Sequence, residues 1–144
     1  MATIPYRLLP GDPTPKPLLR VTLPGRPPVI VAALVDSGAD RSAIPLGLAR
    51  AVGIPYDPAK PIQSRGAGGT FDQFEATAEV LLESEIGPIR LDRPTLNDHI
   101  PFILLGRDDF FRAYVVRFDQ RAMTMEFQPY VPSPRKSKRT RKHK

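Results

Sequence analysis

From Leu18 to Val35 the chain first alternates and then stops alternating. Leu19, Val21 and Leu23 are spaced by Arg20 and Thr22, "PGRP" interrupts, and Val29 to Val35 runs apolar without a break. A two-residue period marks a strand with one wet face, and a short apolar run between turn signals marks a strand buried more fully. The pattern therefore predicts a hairpin whose second arm is the more buried. That arm stops at Asp36, the first residue of "DSGAD". An acid at a strand end is common as a turn former, because its side chain can accept from the next backbone amides.

The rest of the chain reads as short strands around few helices. "SAIPLGLARAVG" predicts a short helix, with Pro45 in its first turn and Gly53 at its left-handed stop. "PIQSRGAGGTFDQFEATAEVLLE" predicts a long hairpin with a glycine tip at Gly66 to Gly69. Its second arm should run through Phe74, Ala76, Ala78, Val80 and Leu82 on one face. "GPIRL" and "PFILLG" are short strand candidates separated by a polar loop, and "RDDFFRAY" is a helical turn or two. "YVVRFDQRAMTMEF" predicts a closing hairpin with Met123, Met125 and Phe127 on one face and its turn near Asp119 to Arg121. The sum is a mostly-β domain with one or two short helices, closed into a barrel or sandwich.

Composition narrows this picture. At 144 residues one domain with a core is expected. Eighteen prolines favour strands and turns over helices, and eight of them lie in the first 28 residues. The organisation expected is a proline-rich extended segment over 1–17, the domain over 18–131 and a basic tail over 132–144. With no cysteine, thiol chemistry and cysteine-held metals are excluded. No stretch approaches the length of a membrane span and the start lacks a signal-peptide pattern, so a cytoplasmic location is the expectation. The net charge of +6 is misleading as a whole: the segment from Ser133 carries +7 and no acid, which leaves the remainder near −1. Such a tail is expected to be disordered and able to touch nucleic acid or anionic surfaces weakly through charge. A solubilising end accounts for it equally well.

Alone, "DSG" is a turn. It gains meaning from "ILLGRDDF", a second apolar strand ending in Gly106 and Arg107, some 70 residues later. The two motifs, in this order and spacing, resemble the paired signature of the retroviral-type aspartic proteases, the retropepsins. The resemblance spans roughly Leu18 to Phe127 and implies a closed, barrel-like acid protease fold, with "RGAGGTF" at the tip of a flap hairpin. It implies Asp36 as the catalytic acid, and Ser37 and Gly38 as the active-site loop, with Ser37 bracing that loop across a dimer. Ala39, Asp40, Gly68 and Gly69 would line the substrate, and Gly106 and Arg107 would give structural support, Arg107 by pairing with Asp40. The chain departs from the familiar pattern at Ser37, where Thr is commoner, at Arg41 beside Asp40, and in its basic tail.

The chain carries one "DSG", whereas this mechanism needs two facing acids. A homodimer is therefore expected, with one Asp36 from each subunit on a twofold axis. Two carboxylates about 3 Å apart share a proton, so one activates water and the other donates to the peptide carbonyl. The expected activity is endopeptidase cleavage of extended polypeptide, with no metal or cofactor. Two alternatives stay open: a non-catalytic dimerisation or peptide-binding module of the same fold, and a nucleic-acid-associated protein that works through its tail. Other features have plainer accounts. His99 lacks a second body histidine for a metal site, "GAGG" lacks the Lys-Ser/Thr of a phosphate loop, and Asp108–Asp109 suits a helix start. Phe110, Phe111 and Tyr114 have the spacing of core or dimer contacts.

Overall fold

A computed structural model describes residues 1–66 and 68–133. The expectation of a disordered basic tail falls, beyond Ser133, outside the described residues. The first strand, β1 (Ala2–Pro5), lies in the proline-rich stretch. The predicted hairpin follows as β2 (Leu18–Leu23) and β3 (Val29–Val35), paired antiparallel from Leu18↔Leu34 to Leu23↔Val29. β2 is the more buried arm: four of its six residues are buried, while Ile30 in β3 is 65% exposed. The expectation was the reverse. The apolar run of β3 faces an open groove shared with Leu8, Leu9 and Pro10 at its outer end, and only its last residues enter the core.

After the acid-bearing loop come β4 (Ala43–Pro45) and α1 (Leu46–Val52). The helix starts later than the sequence suggests because Ala43 to Pro45 are taken up by sheet pairing, with Pro45 as the residue before the first turn. It ends at Gly53, in the left-handed conformation at φ 79°. The glycine-tipped hairpin is β5 (Ile62–Gly66) and β6 (Gly69–Glu75), in register from Ile62↔Gln73 to Gly66↔Gly69. Its second arm does not continue to Leu82. The chain breaks after Glu75, Ala76 forms a single bridge to Tyr56, and Val80–Ser84 is a separate strand, β7, on β2.

β8 (Ile89–Leu91), β9 (Thr95–Asn97) and β10 (Ile103–Leu105) follow, then α2 (Phe110–Ala113), β11 (Tyr114–Asp119) and β12 (Thr124–Pro129). Two sheets result. One is β1-β12-β11, and the other has nine strands in the order β5-β6-β9-β4-β10-β3-β2-β7-β8. The larger sheet is open, not the closed barrel expected. Closure would require β5 to meet β8, and β5 carries no buried side chain with which to fill an interior.

The core is one cluster, with Leu19, Val35, Ile44, Leu96, Leu105 and Phe110 among its most enclosed members. Phe110 meets Phe111, Tyr114 and Phe127 ring to ring, so these aromatics are core contacts. Met125 and Phe127 share the buried face of β12, whereas Met123 sits in the turn, 38% exposed. The proline-rich start is tied down by more than β1. Arg7 makes a two-pronged ion pair with Glu85, and Glu85 also accepts the Arg20 N–H at 2.7 Å. The guanidinium bonded to it holds the Glu85 carboxyl below the usual glutamate range. No helix among the described residues is long and apolar enough to cross a membrane.

Candidate active site

β3 and β10 are neighbours and run parallel, Ile103↔Ala33 to Leu105↔Val35, so both strands end on the same side of the sheet. The residues next in sequence are Asp36 and Gly106. The Asp36 N–H donates to the Leu105 carbonyl at 3.0 Å, one more rung of the ladder, which places the acid at the rim. Its loop then closes on itself. The Ala39 N–H donates to the Asp36 carbonyl at 3.1 Å, and the Gly38 N–H donates to Asp36 Oδ1 at 2.9 Å. A Cβ on residue 38 would stand 3.2 Å from that same Oδ1. Glycine there lets the amide and the carboxylate meet closely.

The second strand end holds the first. The Arg107 and Asp108 amides donate to the Ala39 and Asp40 carbonyls, each at 2.9 Å, and the Arg107 guanidinium pairs with the Asp40 carboxylate. Gly106 passes so close to the loop that a Cβ on it would lie 2.6 Å from the Arg41 carbonyl carbon. Such a distance is inside van der Waals contact, so only glycine allows this crossing. The structure thus gathers Asp36, Ser37, Gly38, Ala39, Asp40, Gly106 and Arg107 into one unit. Gly68 and Gly69 stand apart from it, exposed at the tip of the β5–β6 hairpin. Among the described residues no hydrogen bond or ion pair joins them to the 36–40 loop.

Beneath this unit lies a network that periodicity does not show. Ser42 is 1% exposed; its hydroxyl donates to Asp109 Oδ1 at 2.5 Å and accepts the Gly106 N–H at 2.9 Å. Asp109 also accepts the Phe110 N–H at 2.7 Å and the Asp92 N–H at 3.2 Å. It therefore caps α2, as an acid at a helix start should, and also anchors the loop after the candidate acid. Arg41 turns away from Asp40, reaching Glu75 at 2.8 Å and the Arg93 carbonyl at 2.5 Å, and so ties the loop to the root of the hairpin. The one sequence signal for Ser42 is a lone hydroxyl opening the apolar stretch "AIPL".

Two acids share the loop and differ in surroundings. Asp40 is matched by a cation, whereas the Asp36 carboxylate has a single hydrogen bond, from Gly38, and no ion pair among the described residues. Ser37 is exposed, and its hydroxyl has no partner within the chain among the described residues. An acid held at a strand end by backbone bonds, with one oxygen left open and no cation beside it, is placed to exchange protons with whatever faces it.

Such a mostly-β chain, with an acid loop clamped by a second strand end, has features consistent with an aspartic protease fold. Residues 19–107 match the family model described as aspartyl protease. The chain belongs to that family, the retropepsin-like aspartyl proteases. No curated protein matches it.

Proposed function

We propose that this chain is an aspartic endopeptidase that works as a homodimer, with water activated between two Asp36 carboxylates, one from each subunit. The observation that carries the reading is the single acid at the end of β3, pinned by Leu105 and Gly38 and left without a cation. One such acid per chain needs a second chain to complete the pair. In that pair the ionised member takes a proton from water, which attacks the peptide carbonyl, while the protonated member donates to the carbonyl oxygen.

The surrounding residues take roles consistent with this chemistry. Gly38 orients Asp36, and the open hydroxyl of Ser37 braces the same loop of the other subunit. Ala39 and Asp40 border the extended substrate, whose backbone adds to the site as a strand would. Gly106 and Arg107 hold the loop, and the β5–β6 hairpin, with Gly68 and Gly69 at its tip, closes over the substrate as a flap.

The test is direct. Wild type and Asp36→Asn are incubated with a mixed peptide library across roughly pH 4 to 7, and the oligomeric state is measured by sedimentation. The expected result is cleavage by a dimeric wild type and none by the variant. A dimer with no Asp36-dependent cleavage would establish the non-catalytic peptide-binding module instead, and proteolysis by a monomer would refute the paired-acid mechanism.

A further inference from the structure

The flap reading above leaves open what holds the hairpin when nothing lies beneath it. Its root is well fixed. Phe74 and Glu75 pair with Leu96 and Thr95 of β9, Glu75 meets Arg41, and Gln73 accepts from Asn97 at 3.5 Å. Among the described residues, the second arm beyond Gln73 pairs only with β5, and β5 pairs with nothing else. An isolated two-stranded ribbon is marginal in water, so any contact of its outer half with the body has a large influence on where it rests.

One such contact is present. The ring of Phe71 stacks on the imidazole of His99, with centroids 3.9 Å apart and planes inclined by 18°. Phe71 is half-buried: besides His99 its ring lies near Gly66 of β5, whose missing side chain leaves room for it. A Cβ at residue 66 would come within 3.2 Å of it. His99 is itself a firm seat. Its backbone N–H donates to the side-chain oxygen of buried Asn97 at 2.9 Å, and the intervening Asp98 carboxylate accepts the Gly47 N–H of α1 at 3.1 Å. The 97–99 loop is therefore tied to the sheet and to the helix, while the outer half of the hairpin has no other ring contact with the body among the described residues, the Tyr56–Phe74 pair lying at the root.

We infer that His99 is a positioning residue of the flap: its imidazole is the seat on which Phe71 holds the outer half of the β5–β6 hairpin in one place before a peptide arrives. The inference rests on the proposed peptidase function for its kinetic consequence but not for its structural one. A flap already ordered costs less to close, so the seat acts on peptide capture and leaves the chemical step at Asp36 alone.

The experiment compares wild type, His99→Ala, Phe71→Ala, the double variant and His99→Phe, all as full chains. Backbone hydrogen exchange over residues 62–73 is the first readout. Loss of either ring is expected to raise exchange there by roughly two- to tenfold, the scale of one aromatic pair, with exchange in β3 and β10 unchanged. The double variant should add little to either single one, and His99→Phe should restore protection. On a cleavable peptide, KM should rise by a similar factor in His99→Ala while kcat holds. Unchanged exchange in the hairpin, failure of His99→Phe to rescue, or a loss confined to kcat each overturns the inference. If the wild type cleaves no peptide, the peptidase reading falls, and the exchange measurements still decide whether His99 is the seat.

Discussion

The crossing at Gly106 and the tip of the β5–β6 hairpin are both glycine-bearing, yet the two glycines serve opposite ends. At Gly106 an added Cβ would lie 2.6 Å from the Arg41 backbone, whereas at Gly68 it would meet nothing within 4 Å. The first region is packed backbone to backbone, tied by Ser42 and Asp109, and backed by fully buried Leu105 and Phe110. The second has exposed residues along both arms and, among the described residues, a strand partner in the body only at its root, with the Phe71–His99 stack beyond it. Under the proposed function, a carboxylate that meets another at a fixed distance needs the first kind of surroundings, because a small misplacement there is costly. A hairpin proposed to admit and release a peptide needs the second, since moving parts are drawn from regions of low local stability.

That contrast can be broken by experiment. The largest effect is expected from Gly106→Ala, one methyl group forced against backbone. It should cost roughly 3 kcal/mol of unfolding free energy in urea denaturation, and a change below about 1 kcal/mol would show that the crossing can yield. A smaller effect should follow acidification. The folded-state value of Glu85 is lowered by its bond to Arg7, so the pair's stabilisation is complete above the ordinary glutamate range and is lost as pH falls through the lowered value. The pair is partly exposed, so solvent screens it and the loss should stay under about 1 kcal/mol. Arg7→Gln should flatten that part of the stability profile, and an unaltered slope would count against the pair. The smallest effect is expected from Gly68→Ala, within about 0.5 kcal/mol of wild type by the same urea assay. A loss matching that of Gly106→Ala would mean that the tip is as tightly packed as the clamp.

How much of this was legible in the sequence follows from the length scale of each feature. β2 and β12 were readable because five or more residues repeat a period, β3 because an unbroken apolar run lies between turn signals, and α1 because a proline and a glycine bracket it. β4 and β9 were not: β4 was absorbed into the helix prediction and β9 lies in a polar loop, and three residues carry no period and owe their strand geometry to neighbours far along the chain. The break after Glu75 was hidden because apolar alternation persists from Ala76 to Leu82 although the backbone turns from one partner strand to another. The closed barrel failed for a related reason: closure depends on what β5 could bury, and a wet-faced hairpin reads the same whether or not a sheet closes beside it. At the candidate site, Asp36, Gly106 and Arg107 stood out through their motifs. Ser42 and Asp109 did not, because one buried hydroxyl and its acceptor are brought together by the fold and leave no trace in spacing.

The parallel pairing of β3 with β10 sets an order in time. Asp40 and the Arg107 that pairs with it are 67 residues apart, and synthesis adds about 5–20 residues per second. The acid-bearing loop is thus made several seconds before the strand end that clamps it. Until Gly106 and Arg107 emerge, Asp36 is an ordinary carboxylate on an open chain, with no Leu105 carbonyl to fix its backbone. A growing chain therefore carries an unclamped acid loop until the segment through Arg107 has been made.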